Sequence, residues 1–264
     1  MANWLPTHYT EPLSEDYPTD GDKIINIAQA LWRLPEKHDE ILVLTDWQKD
    51  LIRRVLERYP DDYEEPEKAG RLRYKQVVIS MPRKNGKSLL GAIFALYGLL
   101  LHEPAPEVIS VAASSDQAKI VYRRLKHQIG HFFAKSTEHR GLWTKDEQGI
   151  YKVIAANAAT AQGLHPSLVI FDELHVAKDD VWTAMALGSA TRQDGMIIGI
   201  TTAGDDTSEL LKKLYDNGAK AIDGEEGLER FGFFCWEAPK GCSLDDEESV
   251  RMANPQLASG ILSW

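Results

Sequence analysis

The residues with the clearest chemical potential lie in one segment, Met81 to Ser88, with the sequence MPRKNGKS. It ends in the Gly-Lys-Ser of the phosphate-loop pattern G-x-x-x-x-G-K-[ST], and it lies between an apolar strand pattern and an apolar helix pattern. In such a loop Gly86 lets backbone amides approach phosphates, Lys87 reaches the β- and γ-phosphates, and the Ser88 hydroxyl can ligate Mg²⁺. Met81 stands where the pattern usually has glycine. The segment predicts a nucleoside-triphosphate site, and the alternative is a solvated surface turn.

Arg83, inside this loop, has two interpretations. It is either a solvated loop residue or a side chain that points into the nucleotide site and senses the γ-phosphate. In the second case Arg83 acts in catalysis together with Lys87. The predicted nucleotide contacts of the loop and of the helix start are Pro82, Arg83, Lys84, Asn85, Gly86, Lys87, Ser88 and Leu89.

A pair of acidic residues follows a later strand pattern. Residues 168–172 read LVIFD, and Glu173 comes next. Asp172 would hold Mg²⁺, with Ser88 as the second metal ligand, and Glu173 would orient and deprotonate the attacking water. Adjacent carboxylates in a dry site raise each other's pKa, so they need a nearby cation such as Lys87 or Mg²⁺. A strand that runs into a solvated acidic turn is the alternative, but the coincidence with the phosphate loop favours a site for ATP and Mg²⁺.

Two further stretches have the spacing of helix starts. Thr45 and Gln48 match a capping box, in which each residue satisfies a backbone N–H of the first helical turn. Contact of Trp47 and Gln48 with an adenine ring is an equally weighted interpretation, and both can hold. Ser114 and Gln117 repeat the capping pattern after another strand, with nucleic-acid contact as the alternative.

Hydroxyl side chains end the strand pattern MIIGITT. Thr201 and Thr202 would sense the γ-phosphate or couple hydrolysis to movement, unless this is an ordinary strand exit. Arg192 lies in the turn before that strand. It is either an arginine finger, which reaches the terminal phosphate bound by a neighbouring subunit, or a solvated turn residue. His165 and His175 lack a convincing metal spacing, so neither is predicted to bind metal.

The elements that must position these residues follow from hydrophobic periodicity. The predicted strands are 75–81, 107–113, 151–155, 167–172, 196–202 and 231–236. The predicted helices are 45–58, 88–101, 115–133, 179–190 and 208–222. The alternation predicts an α/β fold of the P-loop NTPase type, three layers with a mostly parallel central sheet and helices on both faces. Ligands of such sheets bind beyond the carboxyl ends of the strands.

Composition sets broad limits. The 264 residues are 43% hydrophobic and 27% charged, which allows one large domain or two small ones and excludes a disordered, collagen-like or disulfide-scaffold chain. Cys235 and Cys242 match no zinc pattern and are interpreted as reduced thiols of a cytosolic protein. The N-terminus lacks the features of a secretory signal, and no uncharged apolar run reaches the roughly 20 residues of a membrane span.

Charge is distributed unevenly along the chain. The net charge of −10 argues against a protein that coats nucleic acid, but residues 71–140 hold twelve basic and four acidic side chains between two acidic flanks. This basic stretch would face the phosphates of a nucleotide or a polynucleotide, or pair with the flanks. Arg123, Arg124 and Lys126 within it are the candidates for gripping DNA.

Taken in order, these motifs resemble the N-terminal ATPase domain of the large subunit of tailed-phage terminases. The resemblance spans roughly residues 40–257, and the proline-arginine variant of the phosphate loop and the TTAG motif are more specific than a generic P-loop. The segments that carry it are LTDWQ (44–48), MPRKNGKS (81–88), ASSDQA (113–118), LVIFDELH (168–175), IIGITTAG (197–204) and MANPQL (252–257).

The resemblance implies a role for each matching residue. Asp172 matches the family's Mg²⁺ ligand and Glu173 its catalytic base. The other matches are to residues of its phosphate loop (Arg83, Lys87, Ser88), its coupling motif (Thr201, Thr202) and its adenine-side motif (Trp47, Gln48). It also implies an ATP-driven motor that packages double-stranded DNA into a procapsid. Its partners would be the portal protein and the small terminase subunit. It would act in the host cytoplasm as a ring, commonly of five subunits, although the isolated domain could be monomeric.

The same resemblance predicts a domain organisation. Residues 1–21 would be an extended N-terminal arm, residues 22–257 the ATPase domain, and residues 258–264 the start of a linker. Members of the family usually carry a second, ribonuclease-H-type nuclease domain beyond that linker. We therefore expect an ATPase fragment that does not cut DNA unaided.

Three other functions compete with this one. A single-module nucleic-acid translocase related to superfamily-2 helicases is the first, although helicases normally use two tandem motor domains. A small-molecule kinase would need an acceptor pocket and a lid, and an Asp-Glu pair suits water activation better. A nucleotide-binding assembly scaffold that hydrolyses nothing would not need Glu173.

Overall fold

The computed structural model describes residues 4–34, 38–112, 122–128, 133–137, 141–144, 148–155, 163–204, 208–243 and 245–261. Its strands are β1 (His8–Tyr9), β2 (Arg33–Leu34), β3 (Glu40–Ile41), β4 (Gln76–Ser80), β5 (Glu107–Ala112), β6 (Phe133–Thr137), β7 (Gly141–Thr144), β8 (Ile150–Ala155), β9 (Leu168–Asp172), β10 (Met196–Thr201) and β11 (Phe231–Cys235). Its helices are α1 (Gly21–Leu31), α2 (Asp46–Val55), α3 (Lys87–Tyr97), α4 (122–128), α5 (Asp179–Ala190), α6 (Glu209–Ile222), α7 (Glu247–Ala253) and α8 (Pro255–Ala258). A π-helical segment, Gly98–His102, continues α3, and a short 3₁₀ turn, Leu174–Val176, follows β9.

One large sheet organises these elements. Its strand order is β1-β11-β4-β10-β9-β5-β8-β7-β6, and β2 with β3 forms a separate hairpin. The six strands from β11 to β8 are parallel to one another, whereas β1, β7 and β6 join antiparallel at the two edges. The carboxyl ends of all six parallel strands therefore lie along one edge of the sheet.

The central strands are buried on both faces, as their continuous apolar runs predict. On β4, Val77 and Ile79 pack into a hydrophobic cluster with side chains of α1, α2 and α3. Val78, between them, points the opposite way and packs with side chains of α5 and α6. Because successive strand residues alternate between faces, one strand serves both helical layers. The three-layer α/β prediction is confirmed.

The antiparallel edge of β6 and β7 was not predicted. The predicted helix 115–133 agrees with the structure at residues 122–128, which form α4. The prediction is wrong at Phe133, which is the first residue of β6. Residues 115–121 and 129–132 of that prediction lie outside the described residues. Strand β6 pairs with β7 across a register shift, so cross-strand pairing fixes the conformation of Phe133, the last residue of the predicted helix.

Residues 7–10, near the N-terminus, pair with β11. Thr7 N donates to Cys235 O (2.8 Å) and Thr10 N donates to Phe233 O (2.9 Å), so β1 extends the sheet by one antiparallel strand. Among the described residues, no helix is both long and apolar enough to cross a lipid bilayer.

A buried ion network holds the amino-terminal edge of the sheet. Arg58 Nε contacts Asp20 Oδ2 at 2.6 Å, and Arg58 Nη1 contacts Asp194 Oδ2 at 3.3 Å. Tyr97 Oη donates to the same Asp20 oxygen (2.9 Å). Burial by itself would raise the pKa of Asp20, but the charge of Arg58 and hydrogen bonds from Arg58, Tyr97 and Lys23 bring that pKa below its usual value. One guanidinium thus neutralises carboxylates from segments far apart in sequence.

Replacing Arg58 by methionine should lower the free energy of unfolding by about 3–5 kcal/mol at pH 7, because two buried carboxylates lose their cation. Since the folded pKa of Asp20 is lowered, its contribution is present above the pKa of an unfolded Asp and is lost as pH falls through the folded pKa. Urea unfolding at a series of pH values should therefore show that the difference in unfolding free energy between wild type and Arg58→Met becomes smaller below about pH 4. The control Lys220→Met breaks an exposed pair with Glu225 and should change the unfolding free energy by under about 1 kcal/mol. Equal effects of the two substitutions would contradict a structural role for the network.

Candidate functional site

The strand order brings the predicted motifs to one place. Strand β10 lies between β4 and β9, and all three are parallel. Ser80 pairs with Thr201, Asp172 pairs with Ile200, and Met81 N donates to Thr201 O at 3.1 Å. The phosphate loop, the Thr201-Thr202 segment and the Asp172-Glu173 pair therefore leave neighbouring strands at the same edge.

The loop from Met81 to Gly86 makes the transition from β4 to α3 through two left-handed residues. Lys84 has φ +66° and Gly86 has φ +75°, a backbone region that costs a side-chain-bearing residue free energy and glycine none. Helix α3 begins at Lys87, and Gly86 O accepts hydrogen bonds from Leu89 N and Leu90 N (both 3.0 Å). The first amides of α3 have no carbonyl partner in their own helix, so this helix start can bind an anion.

Lys87 is the buried cation of the site. Only 8% of the residue is exposed, and its Nζ donates to Pro82 O (3.1 Å) and to Met81 O (3.4 Å). Burial lowers the pKa of Lys87, and the charges of Glu173 and Asp172 oppose that lowering. The ammonium group is thus held against loop carbonyls and within electrostatic reach of both acids.

The two acids differ in environment. Burial and the neighbouring Glu173 raise the pKa of Asp172, while Lys87 lowers it. A divalent cation beside Asp172 would favour its ionised form in the same way. Glu173 has φ +59° and ψ +54°, a left-handed conformation that costs a non-glycine residue roughly 1–3 kcal/mol and is enriched at functional sites.

Thr201 joins the end of β10 to the turn that carries Glu173. Its Oγ1 accepts a hydrogen bond from His175 N (3.1 Å), lies 3.2 Å from His175 Nδ1, and donates to Thr202 O (2.7 Å). His175 Nδ1 is also 3.3 Å from Glu173 Oε2. The fully buried Thr201 hydroxyl is therefore linked to the predicted base through one residue. Sequence reasoning missed this role of His175, because only its position two residues after Glu173 could have indicated it.

Replacing Thr201 by valine should lower kcat for ATP about tenfold, because the turn carrying Glu173 loses a buried hydrogen-bond acceptor. The same change should reduce the free energy of unfolding by about 1–3 kcal/mol. Thr201→Ser keeps the hydroxyl and is the matched control. Steady-state phosphate release would contradict the assignment if the valine and serine variants had the same kcat.

A cavity of about 590 Å³ lies against the phosphate loop and the turn after β9. Its described lining residues are Arg83, Lys84, Gly86, Lys87, Ser88, Leu89, Arg124, Glu173, His175 and Val176. Four cationic side chains, a helix start and a hydroxyl suit a triphosphate. Ser88 and Glu173 line the cavity with oxygen atoms of the kind that Mg²⁺ prefers, whereas Asp172, next to Glu173, is not among the described lining residues. Arg124, considered above as a DNA contact, lines this cavity.

Other predicted contacts lie elsewhere. Trp47 is 1% exposed and packs edge-on against Trp236 in the core, with ring centroids 5.8 Å apart. Gln48 Oε1 accepts from Thr45 N (3.0 Å), as the capping box predicts, and its Nε2 faces Gly86, 3.4 Å from where a Cβ would stand. Gln48 is thus buried against the phosphate loop and Trp47 against Trp236, and neither is among the described lining residues of the cavity.

The remaining residues divide between two locations. Pro82 and Thr202 line a second cavity of about 320 Å³. Arg83 lines both cavities. Arg192 donates to His165 O (3.0 Å) in the turn before β10, at the opposite edge of the sheet. The predicted capping pair Ser114 and Gln117 lies outside the described residues.

Fold and site together define a class, the α/β nucleotide-binding domains with a phosphate loop at a helix start and an acidic strand end beside it. The family model of the terminase large subunit ATPase domain matches residues 66–220. This match covers more than half of the chain, and the chain belongs to that family.

Solved structures add a comparison of the fold. The large terminase of bacteriophage HK97 superposes with a TM-score of 0.75 at 24% identity, over 92% of this chain and 49% of that chain. This chain thus spans about half the length of that protein. A Thermus phage large terminase ATPase domain (TM-score 0.41, 19% identity, 53% and 64% coverage) and a large terminase of a thermophilic bacteriophage (0.44, 12%, 62% and 40%) are more distant. No curated protein matches the sequence.

Proposed function

We propose that this chain is the ATPase motor domain of a viral terminase large subunit, which hydrolyses ATP with Mg²⁺ to translocate double-stranded DNA into a procapsid. The observation that carries the proposal is the convergence of Lys87, Asp172 and Glu173 at the carboxyl ends of neighbouring parallel strands. Family membership supports the ATPase part, and the basic lining of the cavity supports a triphosphate as the substrate.

The proposed mechanism gives each group one task. The amides at the start of α3 and the Lys87 ammonium bind the phosphates, and Arg83 senses the terminal one. Ser88 and Asp172 would hold Mg²⁺, which when bound offsets negative charge on the phosphates. Glu173 accepts a proton from the attacking water. Phosphate release changes what Glu173 and Arg83 contact, and the Thr201–His175 link passes that change to β10.

The partners and organisation follow from the family and are part of the proposal. The domain would comprise residues 22–257, with an arm before it (1–21) and the start of a linker after it (258–264). It would act in the host cytoplasm with the portal protein, the small terminase subunit and neighbouring copies in a ring. The finger for the terminal phosphate would be Arg83 in the same subunit, or Arg192 of a neighbour.

Phosphate release from ATP by the purified chain tests the proposal. We expect turnover that requires Mg²⁺ and rises with double-stranded DNA. Nucleotide binding without turnover would favour the assembly scaffold, and stronger stimulation by single-stranded than by double-stranded DNA would favour the helicase-related translocase. Absence of both binding and turnover would overturn the proposal.

The same assay addresses activation by a neighbouring subunit. If a finger must come from another copy, specific activity will rise with protein concentration as copies associate. A rate strictly proportional to protein concentration would place the finger in the same chain, over the range tested. A structure with a non-hydrolysable ATP analogue and Mg²⁺ would then distinguish Arg83 from Arg192.

A further inference from the structure

We propose that Asn254 is a positioning residue for the nucleotide site, acting through Asn85 to hold the phosphate loop in its binding conformation. This inference rests on the proposed ATPase function. Neither residue's side chain was predicted to serve this purpose. Asn85 was expected to contact nucleotide, and Asn254 was only part of a segment resembling the approach to a linker.

The side chain of Asn85 points toward the segment that contains Asn254. Its side chain is fully buried, and its Nδ2 donates to Asn254 Oδ1 at 3.1 Å. Its Oδ1 accepts a hydrogen bond from Gln256 N, also at 3.1 Å. The amide therefore faces the corner between α7 and α8 and is not among the described lining residues of the main cavity.

Several hydrogen bonds make the corner between α7 and α8 rigid. Asn254 lies between α7 and α8, and its Nδ2 donates to Val250 O (3.0 Å) while its O accepts from Ala258 N (2.9 Å). Arg251 Nη1 donates across the same corner to Leu257 O (3.2 Å). These contacts fix the position of Asn254 Oδ1, which accepts the hydrogen bond from Asn85 in the phosphate loop.

Asn85 is connected to Lys87, the buried cation of the site, through a backbone carbonyl. Its Nδ2 lies 3.3 Å from both Pro82 O and Arg83 O, and Pro82 O also accepts from Lys87 Nζ at 3.1 Å. Asn85 and Lys87 thus share a carbonyl acceptor. A shift of the Asn85 side chain changes the position of the oxygen against which the Lys87 ammonium rests.

The backbone on either side of Asn85 explains why such a support is needed. Lys84 and Gly86 are both left-handed, and for Lys84 that conformation is unfavourable unless neighbouring contacts hold it. The hydrogen bonds of Asn85 bridge this turn from inside. A segment about 170 residues later in the chain therefore helps to set the geometry of the phosphate loop, and the loop in turn constrains residues 254–256.

A double-mutant cycle on the complete 264-residue chain tests this inference. The measured quantities are the affinity for a non-hydrolysable ATP analogue with Mg²⁺, and KM and kcat for ATP. We expect Asn254→Ala to weaken analogue binding about tenfold, the size of one lost hydrogen bond. Asn85→Ala should weaken it by at least as much. The double variant should bind as Asn85→Ala does, because Asn254 acts only through Asn85.

The effect should fall on KM, with kcat changed less than about threefold, because the loop binds the ground-state phosphates as well as the transition state. Asn254→Asp keeps an oxygen acceptor for Asn85 but loses the donor to Val250 O, so it should recover only part of the affinity. Ser259→Ala removes the bond from Ser259 Oγ to Gln256 O (3.1 Å) in the same segment, with no contact to the loop, and should bind as wild type. Thermal unfolding of each variant establishes that the measurements are made on folded protein.

Three outcomes would overturn the inference while leaving the proposed function intact. The first is an Asn254→Ala variant that binds the analogue as tightly as wild type does. The second is a double variant whose loss of affinity is the product of the two single losses. The third is a Ser259→Ala variant that loses as much affinity as Asn254→Ala does. Failure of the wild-type chain itself to bind the analogue would instead refute the proposed function.

Discussion

Replacing Glu173 by glutamine is expected to reduce kcat for ATP by about 10²–10⁴-fold, the usual contribution of a positioned general base. Glutamine has the same shape and cannot accept the proton of the attacking water. Nucleotide binding should survive, because phosphate contacts come from the loop and from the start of α3. Phosphate release and analogue binding measure the two effects separately.

The stability of this variant should not fall. Glu173 contributes to raising the pKa of the buried Asp172, so neutralising Glu173 removes a repulsion between adjacent carboxylates. We expect an unchanged or higher Tm, together with loss of turnover. That combination separates a catalytic role from damage to the fold, because damage to the fold would lower the Tm as well as the turnover.

Glu103→Gln is the matched control. Glu103 Oε1 accepts a hydrogen bond from Asp194 N (2.7 Å) at the opposite edge of the sheet, and the amide oxygen of glutamine can accept the same bond. This variant should hydrolyse ATP at the wild-type rate. A Glu173→Gln variant that turns over ATP within about threefold of wild type would remove Glu173 from its assigned role.

Replacing Lys87 by alanine should abolish measurable ATP turnover and weaken binding of the analogue about 10²-fold or more. The reason is electrostatic: the ammonium is buried against the loop carbonyls and beside both acids, where a charge contact is worth several kcal/mol of phosphate and transition-state stabilisation. Calorimetry of analogue binding and phosphate release provide the two measurements.

The comparison variant for Lys87→Ala is Lys152→Ala. Lys152 is a half-buried strand lysine that pairs with Glu107 at 2.8 Å, away from the cavity residues. Its loss should leave KM and kcat unchanged. Equal losses in both variants would mean that the Lys87 effect reflects a general loss of stability, and normal hydrolysis by Lys87→Ala would contradict the proposed site.

Much of the architecture could be predicted because it depends on local patterns. Strands β4, β9 and β10 are runs of apolar residues buried on both faces, and such runs are recognisable without knowing their neighbours. Helices α5 and α6 begin and end within a residue of their predicted bounds. The edge strands β6 and β7 escaped prediction since neither is a continuous apolar run and pairing with each other decides their conformation.

Individual side-chain environments were less predictable than the elements that carry them. Gly86, Lys87 and Ser88 are at a helix start, so their backbone geometry follows from the motif itself. Trp47, by contrast, belongs to a motif assigned to the adenine, yet its ring is in the core against Trp236. Nothing local to Trp47 distinguishes these two environments, because the neighbouring ring comes from a strand end almost 190 residues later.

Motifs and hydrophobic periodicity were enough to predict that a phosphate loop, an acidic strand end and a hydroxyl strand end each follow a buried strand of a mostly parallel sheet. The folded chain adds the position of β10 between β4 and β9, the contacts of His175 with Thr201 and Glu173, and the hydrogen bond from Asn85 to Asn254. The difference lies in the range of the interactions. Hydrophobic periodicity and loop motifs act within a few residues, whereas strand order and buried hydrogen bonds depend on partners brought together by the packing of the whole chain.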